Sequence, residues 1–251
     1  MTASIHLVGH RGQPESLPEN SLESFTHALQ SGAVYIETDV QLTADGVVVL
    51  SHDENLQKMT ANNISVTNST YAAFKDIPAG YPEKFSNTFD HYRIATLAQF
   101  SDLLKNWPNV IGFIEIKQES LACFGTKVVD LVMDSLGPIE EQSVLISFDY
   151  DALVYARENY NIPLGWVLPD WSHSNQIMAE KLSPEFIFVD IDFCPDNESA
   201  LWMGSWQWVV YTINDVKEIK KYTDIGIKII ETNRFSEIQN EYDKLVIDNN
   251  E

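Results

Sequence analysis

The sequence is poor in positive charge. Its 16 Lys and Arg stand against 37 Asp and Glu, giving a formal net charge of −21. That balance argues against a nucleic-acid binder, which usually carries a basic patch, and against stable docking on anionic lipid. An anionic small-molecule substrate is not excluded, because salt screens exposed charge beyond roughly 8 Å and local cations still decide binding. Cysteine is scarce too. Cys123 and Cys194 lie far apart and match no ligand spacing, so both are expected as buried free thiols of a reducing compartment, the cytoplasm. No apolar run nears the roughly 18 residues that span a bilayer. The opening MTASIHLVGH has neither the basic start nor the apolar stretch of a secretory leader. No Gly-x-Gly-x-x-Gly follows the first apolar run, which weighs against a dinucleotide-binding open sheet.

What is present is an alternation. Eight short apolar runs begin at residues 5, 34, 110, 144, 163, 186, 208 and 227, and segments of helical period separate them. Near-continuous apolar strands between amphipathic helices indicate a parallel sheet buried on both faces. Eight such units in 251 residues are the size of a (β/α)8 barrel of the TIM type, an α/β fold. The helix candidates include 21–31, 96–107, 123–136, 150–159, 175–182 and 216–223. In PENSLESF, Asn20 and Glu23 have capping-box spacing, so Asn20 is expected to cap the first helix as readily as to serve a site. TADGVVVLSHD reads as a hairpin turning at Asp45-Gly46, with Asp45 a turn residue. The stretch 55–95 breaks the rhythm and is rich in Asn, Thr, Ser, Pro and aromatics. A loop of that length implies a small lid-like insertion after the second strand, within one barrel domain covering 1–251.

Side chains two apart on a strand share a face, which pairs Glu37 with Asp39 and Glu115 with Lys117. Both pairs fall at strand C-terminal ends, where barrel enzymes carry their catalytic groups. His10 and Arg11 end the first strand, and His52 ends the hairpin. One mouth would then collect three carboxylates, two imidazoles, an arginine and a lysine. Any one of these acids would fit a salt bridge inside the barrel; together they leave room for a hard divalent cation. Oxygen-only ligation suits Mg²⁺ or Ca²⁺ better than zinc. His10 and His52 suit general acid–base work on a phosphodiester near neutral pH, in either order. His6, His27, His91 and His173 are expected at the surface or in packing.

These residues carry a resemblance. GHRG…PENS…SF…AL…GA…IETDVQLTADGVVVLSHD resembles the opening of the glycerophosphodiester phosphodiesterase family. FIEIK, VLISFDYDAL, VVYTIND and GIKIIETNRF follow in the family's order over essentially the whole chain. The resemblance implies a metal-dependent barrel hydrolysing glycerophosphodiesters to an alcohol and glycerol 3-phosphate. It implies His10 and His52 as the acid–base pair, Glu37, Asp39 and Glu115 as metal ligands, and Arg11 and Lys117 on the phosphate. Two departures stand out. Tyr211 replaces a Trp of the substrate wall, and the last strand reads IIETNRF, with Glu231, Asn233 and Phe235, where the family has Gly-Ile-Ile-Thr-Asp-x-Pro. Rival readings are a lysophospholipase D or phosphoinositide-type phosphodiesterase on the same scaffold, or a non-catalytic barrel binding phosphorylated ligands.

Overall fold

The structure is a computed structural model, and it describes residues 5–248. The chain runs β1 (His6–Gly9), α1 (Leu22–Gln30), β2 (Tyr35–Leu42), β3 (Val48–Leu50), α2 (Gln57–Thr60), α3 (Pro82–Phe85) and α4 (Leu97–Leu104). It continues with β4 (Ile111–Ile116), α5 (Gln118–Phe124), α6 (Lys127–Leu136), β5 (Ser143–Ser147), α7 (Tyr150–Asn159) and β6 (Leu164–Val167). The last part holds α8 (His173–Leu182), β7 (Phe186–Asp190), β8 (Gln207–Tyr211), α9 (Val216–Asp224), β9 (Ile229–Thr232) and α10 (Phe235–Asp248).

The eight apolar runs are the eight parallel strands of a closed barrel. The order β1-β9-β8-β7-β6-β5-β4-β2 closes where β1 pairs β2, and β3 adds an antiparallel edge to the far end of β2. Both strand faces are apolar because both are covered. Val8, Phe113, Val144, Val167, Phe188 and Ile229 fill the barrel interior, while the opposite faces pack under the helices. In the outer layer Phe25 of α1 meets Phe100 of α4 edge-on, with ring centroids 4.8 Å apart. No α-helix follows β7 before β8 among the described residues, only a single 3-10 turn at Glu198–Ala200. Residues 191–206 instead lay an aromatic loop against the barrel, where Trp171 and Trp202 pack at 4.4 Å. No helix among the described residues is long and apolar enough to cross a membrane.

Local differences from the sequence reading have physical causes. The expected helix over 123–136 is two helices, α5 and α6, broken at Gly125, whose φ of +61° ends the first. The cap of α1 is Ser21, whose hydroxyl accepts from the Ser24 N–H; Asn20 points inward instead. Cys194 is buried as expected, but Cys123 is exposed, because it lies on the outer side of α5. Asp45 is a turn residue, accepting from the Thr43 hydroxyl at 2.7 Å. Segment 55–95 has a small apolar core of its own, centred on the fully buried Phe74 with Leu56, Met59 and Val66.

Candidate active site

The Gly-His-Arg-Gly cluster is the turn that carries β1 into the cavity. Gly12 has φ +88°, and a Cβ there would collide with the backbone of Ser24 and Phe25 in α1. That closeness folds the turn back so that His10 and Arg11 face the barrel mouth. On the neighbouring strands the two-residue alternation holds. The β2–β4 register sets Asp39 directly beside Glu115, and Glu37 lies one inward step deeper. Glu37 and Asp39 are fully buried, and Lys117 sits at the mouth just beyond β4.

A cavity of about 220 Å³ lies at this end of the barrel. His10, Arg11, Glu37, His52, Glu115, Lys117 and Tyr211 all line it, so seven of the eight residues singled out in the sequence meet there. The eighth, Asp39, lies just behind them and ties the cations together: its Oδ2 is 2.9 Å from Arg11 Nε and its Oδ1 3.3 Å from Lys117 Nζ. Lys117 is also 2.7 Å from Glu115 Oε1. Glu37 Oε2 accepts from the Arg11 backbone N–H at 3.0 Å. Ile146, Phe148, Val167 and Phe188 form an apolar wall opposite this charged one.

Each histidine has a fixed partner. His10 Nδ1 lies 2.6 Å from Asn233 Oδ1, so with that oxygen as acceptor Nδ1 carries the hydrogen and the Nε2 lone pair faces the cavity. Burial first, then the Arg11 charge, push the His10 pKa down to about 3, so the ring is neutral through the physiological range. His52 Nδ1 meets Asp53 Oδ1 at 2.8 Å, and Lys58 Nζ holds the other Asp53 oxygen at 2.6 Å.

The carboxylates divide. Burial would raise Asp39, but the adjoining Arg11 and Lys117 override it and hold the carboxyl well below its usual range. Glu37 is raised by burial and by its neighbours Asp39 and Glu231, and Glu115 is raised by burial in spite of Lys117. The cavity is therefore short of positive charge. Glu37 Oε1 and Asp39 Oδ1 are buried without a hydrogen bond. One ligand atom each from Glu37, Asp39 and Glu115 lies within 4.8 Å of the other two. Two unpaired buried oxygens within a group of three adjacent carboxylates fit a divalent cation.

Several residues of the site escape a reading of the sequence for chemistry. Asn20 donates to Asp39 Oδ2 at 3.0 Å and accepts from the Thr38 hydroxyl at 2.8 Å, so it orients the carboxylate. Glu19 joins Arg11 Nη1 at 3.3 Å to the Tyr81 hydroxyl at 3.0 Å, tying segment 55–95 to the site. Asn233 fixes His10. Glu231 of β9 is 3% exposed and lines the cavity. Burial and the nearby Glu115 push its pKa up to about 8. Its signal was the inward alternation from Ile229, which belongs to the interior core.

Comparison with known proteins bears on the family and the fold. The model of the glycerophosphoryl diester phosphodiesterase family matches residues 10–237. A glycerophosphodiester phosphodiesterase of Bacillus subtilis is 33% identical over 246 residues, covering 91% of this chain and 83% of that one. One from Caldanaerobacter subterraneus is 32% identical over 149 residues, so the chain spans only 59% of that relative's length. Among solved structures, a phosphodiesterase from Oleispira antarctica in complex with the product sn-glycerol-3-phosphate superposes with a TM-score of 0.82. That likeness is at 23% identity, with 95% of this chain and 96% of the other covered, and bears on the fold. The chain belongs to the glycerophosphoryl diester phosphodiesterase family.

Proposed function

We propose that the chain is a cation-dependent glycerophosphodiester phosphodiesterase releasing an alcohol and glycerol 3-phosphate. The observation that carries this reading is the convergence of three carboxylates, Arg11, Lys117 and both histidines around one cavity, opposite an apolar wall. Glu37, Asp39 and Glu115 would hold Mg²⁺ or Ca²⁺. When bound, that ion supplies a Lewis acid that offsets charge developing on the phosphoryl oxygens. Arg11 is held by Asp39 and Glu19, and Lys117 by Asp39 and Glu115, so their remaining N–H groups meet the phosphate from fixed positions. Tyr211 and the apolar wall border the glycerol.

The histidine geometry supports one order of proton transfers. The glycerol 2-hydroxyl attacks phosphorus and passes its proton to His10 Nε2, whose lone pair faces the cavity. The bond from phosphorus to the departing alcohol breaks, and that oxygen takes a proton from His52. The product is a five-membered cyclic phosphate. Water then attacks phosphorus, giving its proton to His52, while the bond from phosphorus to the 2-oxygen breaks and His10 returns the first proton to that oxygen. Attack from within one bound substrate gains the large effective concentration of an oriented intramolecular reaction. Segment 55–95 belongs to the same barrel domain in this reading, and its Tyr81–Glu19 contact supports a lid beside Arg11. The unpaired cysteines fit the cytoplasm.

The test is turnover of glycerophosphocholine, glycerophosphoethanolamine and lysophosphatidylcholine with and without divalent cation. Glycerol 3-phosphate is expected from the first two. Turnover of the lysophospholipid alone would favour a lysophospholipase D, and none at all would favour a binding barrel. A 2-deoxy analogue is expected to bind and turn over very slowly. Cleavage at the normal rate would replace the cyclic step by direct attack of water.

A further inference from the structure

The last barrel strand brings to the cavity a carboxylate for which the proposed reaction has no use. Glu231 is 3% exposed, and among the described residues no Lys or Arg lies within ion-pair distance of its carboxylate. Its Oε1 lies 3.5 Å from His10 Nε2, and Glu37 Oε2 lies 3.8 Å from that same nitrogen. One ligand atom each from His10, Glu37 and Glu231 lies within 4.8 Å of the other two. Glu37 is a member of this group and of the group with Asp39 and Glu115, and its buried Oε1 has no partner. Buried carboxylates without a charged partner are costly unless a proton or a cation stands beside them.

We propose that His10, Glu37 and Glu231 form a second cation subsite, bridged through Glu37 to the first and selective for nitrogen-accepting divalent ions such as Mn²⁺ and Zn²⁺. The two subsites differ in donor chemistry. Glu37, Asp39 and Glu115 offer only oxygen, which suits hard ions. The second set adds an imidazole nitrogen, which favours Mn²⁺ and Zn²⁺ over Mg²⁺ and Ca²⁺. His10 can ligate only through Nε2, because Asn233 occupies Nδ1. An ion on Nε2 takes the lone pair that accepts the 2-hydroxyl proton, so filling the subsite inhibits turnover. This rests on the reading of Glu37, Asp39 and Glu115 as a cation site and of His10 as proton acceptor.

The experiment strips the full chain of cations, adds Mn²⁺, and measures bound Mn²⁺ per chain and its electron spin resonance. Two bound ions are expected in the native chain, with the spin-coupled signal of ions about 3.5–4 Å apart. Glu231→Gln is expected to bind one, with an uncoupled six-line signal. At saturating Mg²⁺, Zn²⁺ is expected to inhibit the native enzyme, and Glu231→Gln to raise the half-inhibiting Zn²⁺ concentration at least about tenfold. One Mn²⁺ in both proteins would overturn the second subsite and leave the first standing. Two in both would overturn the role of Glu231. None in either would overturn the first site as well. The coupled signal of the native chain decides the matter even if the variant folds poorly.

Discussion

Glu231 makes the electrostatics of the cavity measurable as stability. Its carboxyl is raised from 4.5 to about 8 by burial and the nearby Glu115, so the folded chain keeps a proton there that the unfolded chain releases. The group therefore leaves stability untouched below its unfolded value, subtracts from it as pH rises from 4.5 towards 8, and adds no further loss above that range. At 1.36 kcal/mol per pH unit, the penalty works out to about 1 kcal/mol at pH 5 and about 4 kcal/mol at pH 8. Glu231→Gln keeps the shape and removes the charge. Urea unfolding in the presence of a chelator should show the variant gaining about 1 kcal/mol at pH 5 and about 4 kcal/mol at pH 8. An equal gain at both pH values, or a loss that grows with pH, would refute the argument that surplus negative charge is buried here.

Other expectations follow from the same geometry. Glu115→Gln should weaken Mn²⁺ affinity at least about tenfold while moving the unfolding midpoint in chelator little, read by metal titration and by urea. Arg11→Met and Lys117→Met should each lower kcat/KM about 10²-fold or more and weaken glycerol 3-phosphate binding. Ion pairs that were merely structural would instead lower stability with near-normal kinetics. Asp53→Ala should cut kcat by up to about 10²-fold with little change in KM, because His52 loses the acceptor that orients it. A thiol reagent should label Cys123 quickly and Cys194 only on unfolding, since Cys194 is buried and its thiol is pushed up to about 11 by burial.

Much of this site is legible in the sequence because strands impose a short, rigid periodicity. Glu37 with Asp39, and Glu115 with Lys117, are two residues apart at the ends of apolar runs, and that spacing alone puts each pair on one side. The eight runs fall on the eight barrel strands for the same reason: burial on both faces demands continuous apolar residues. What the sequence hides depends on contacts across the closed barrel. Asn233 and Glu231 reach His10 only because β9 pairs with β1, more than 220 residues away. Asn20 has the composition and spacing of a helix cap. Only the approach of the loop to β2 gives it Asp39 as a partner. Segment 55–95 lacks a period because short helices and turns build its core around Phe74, with no repeat for a pattern to follow.

The central claim is that the charged end of this barrel holds a cation and cleaves a phosphodiester there. The most direct measurement is release of glycerol 3-phosphate from glycerophosphocholine by the purified chain, before chelation, after exhaustive chelation, and after Mg²⁺ or Ca²⁺ is restored. The account predicts release that chelation abolishes and the added ion recovers. Undiminished release after chelation, or none from the folded, cation-loaded protein, would contradict it.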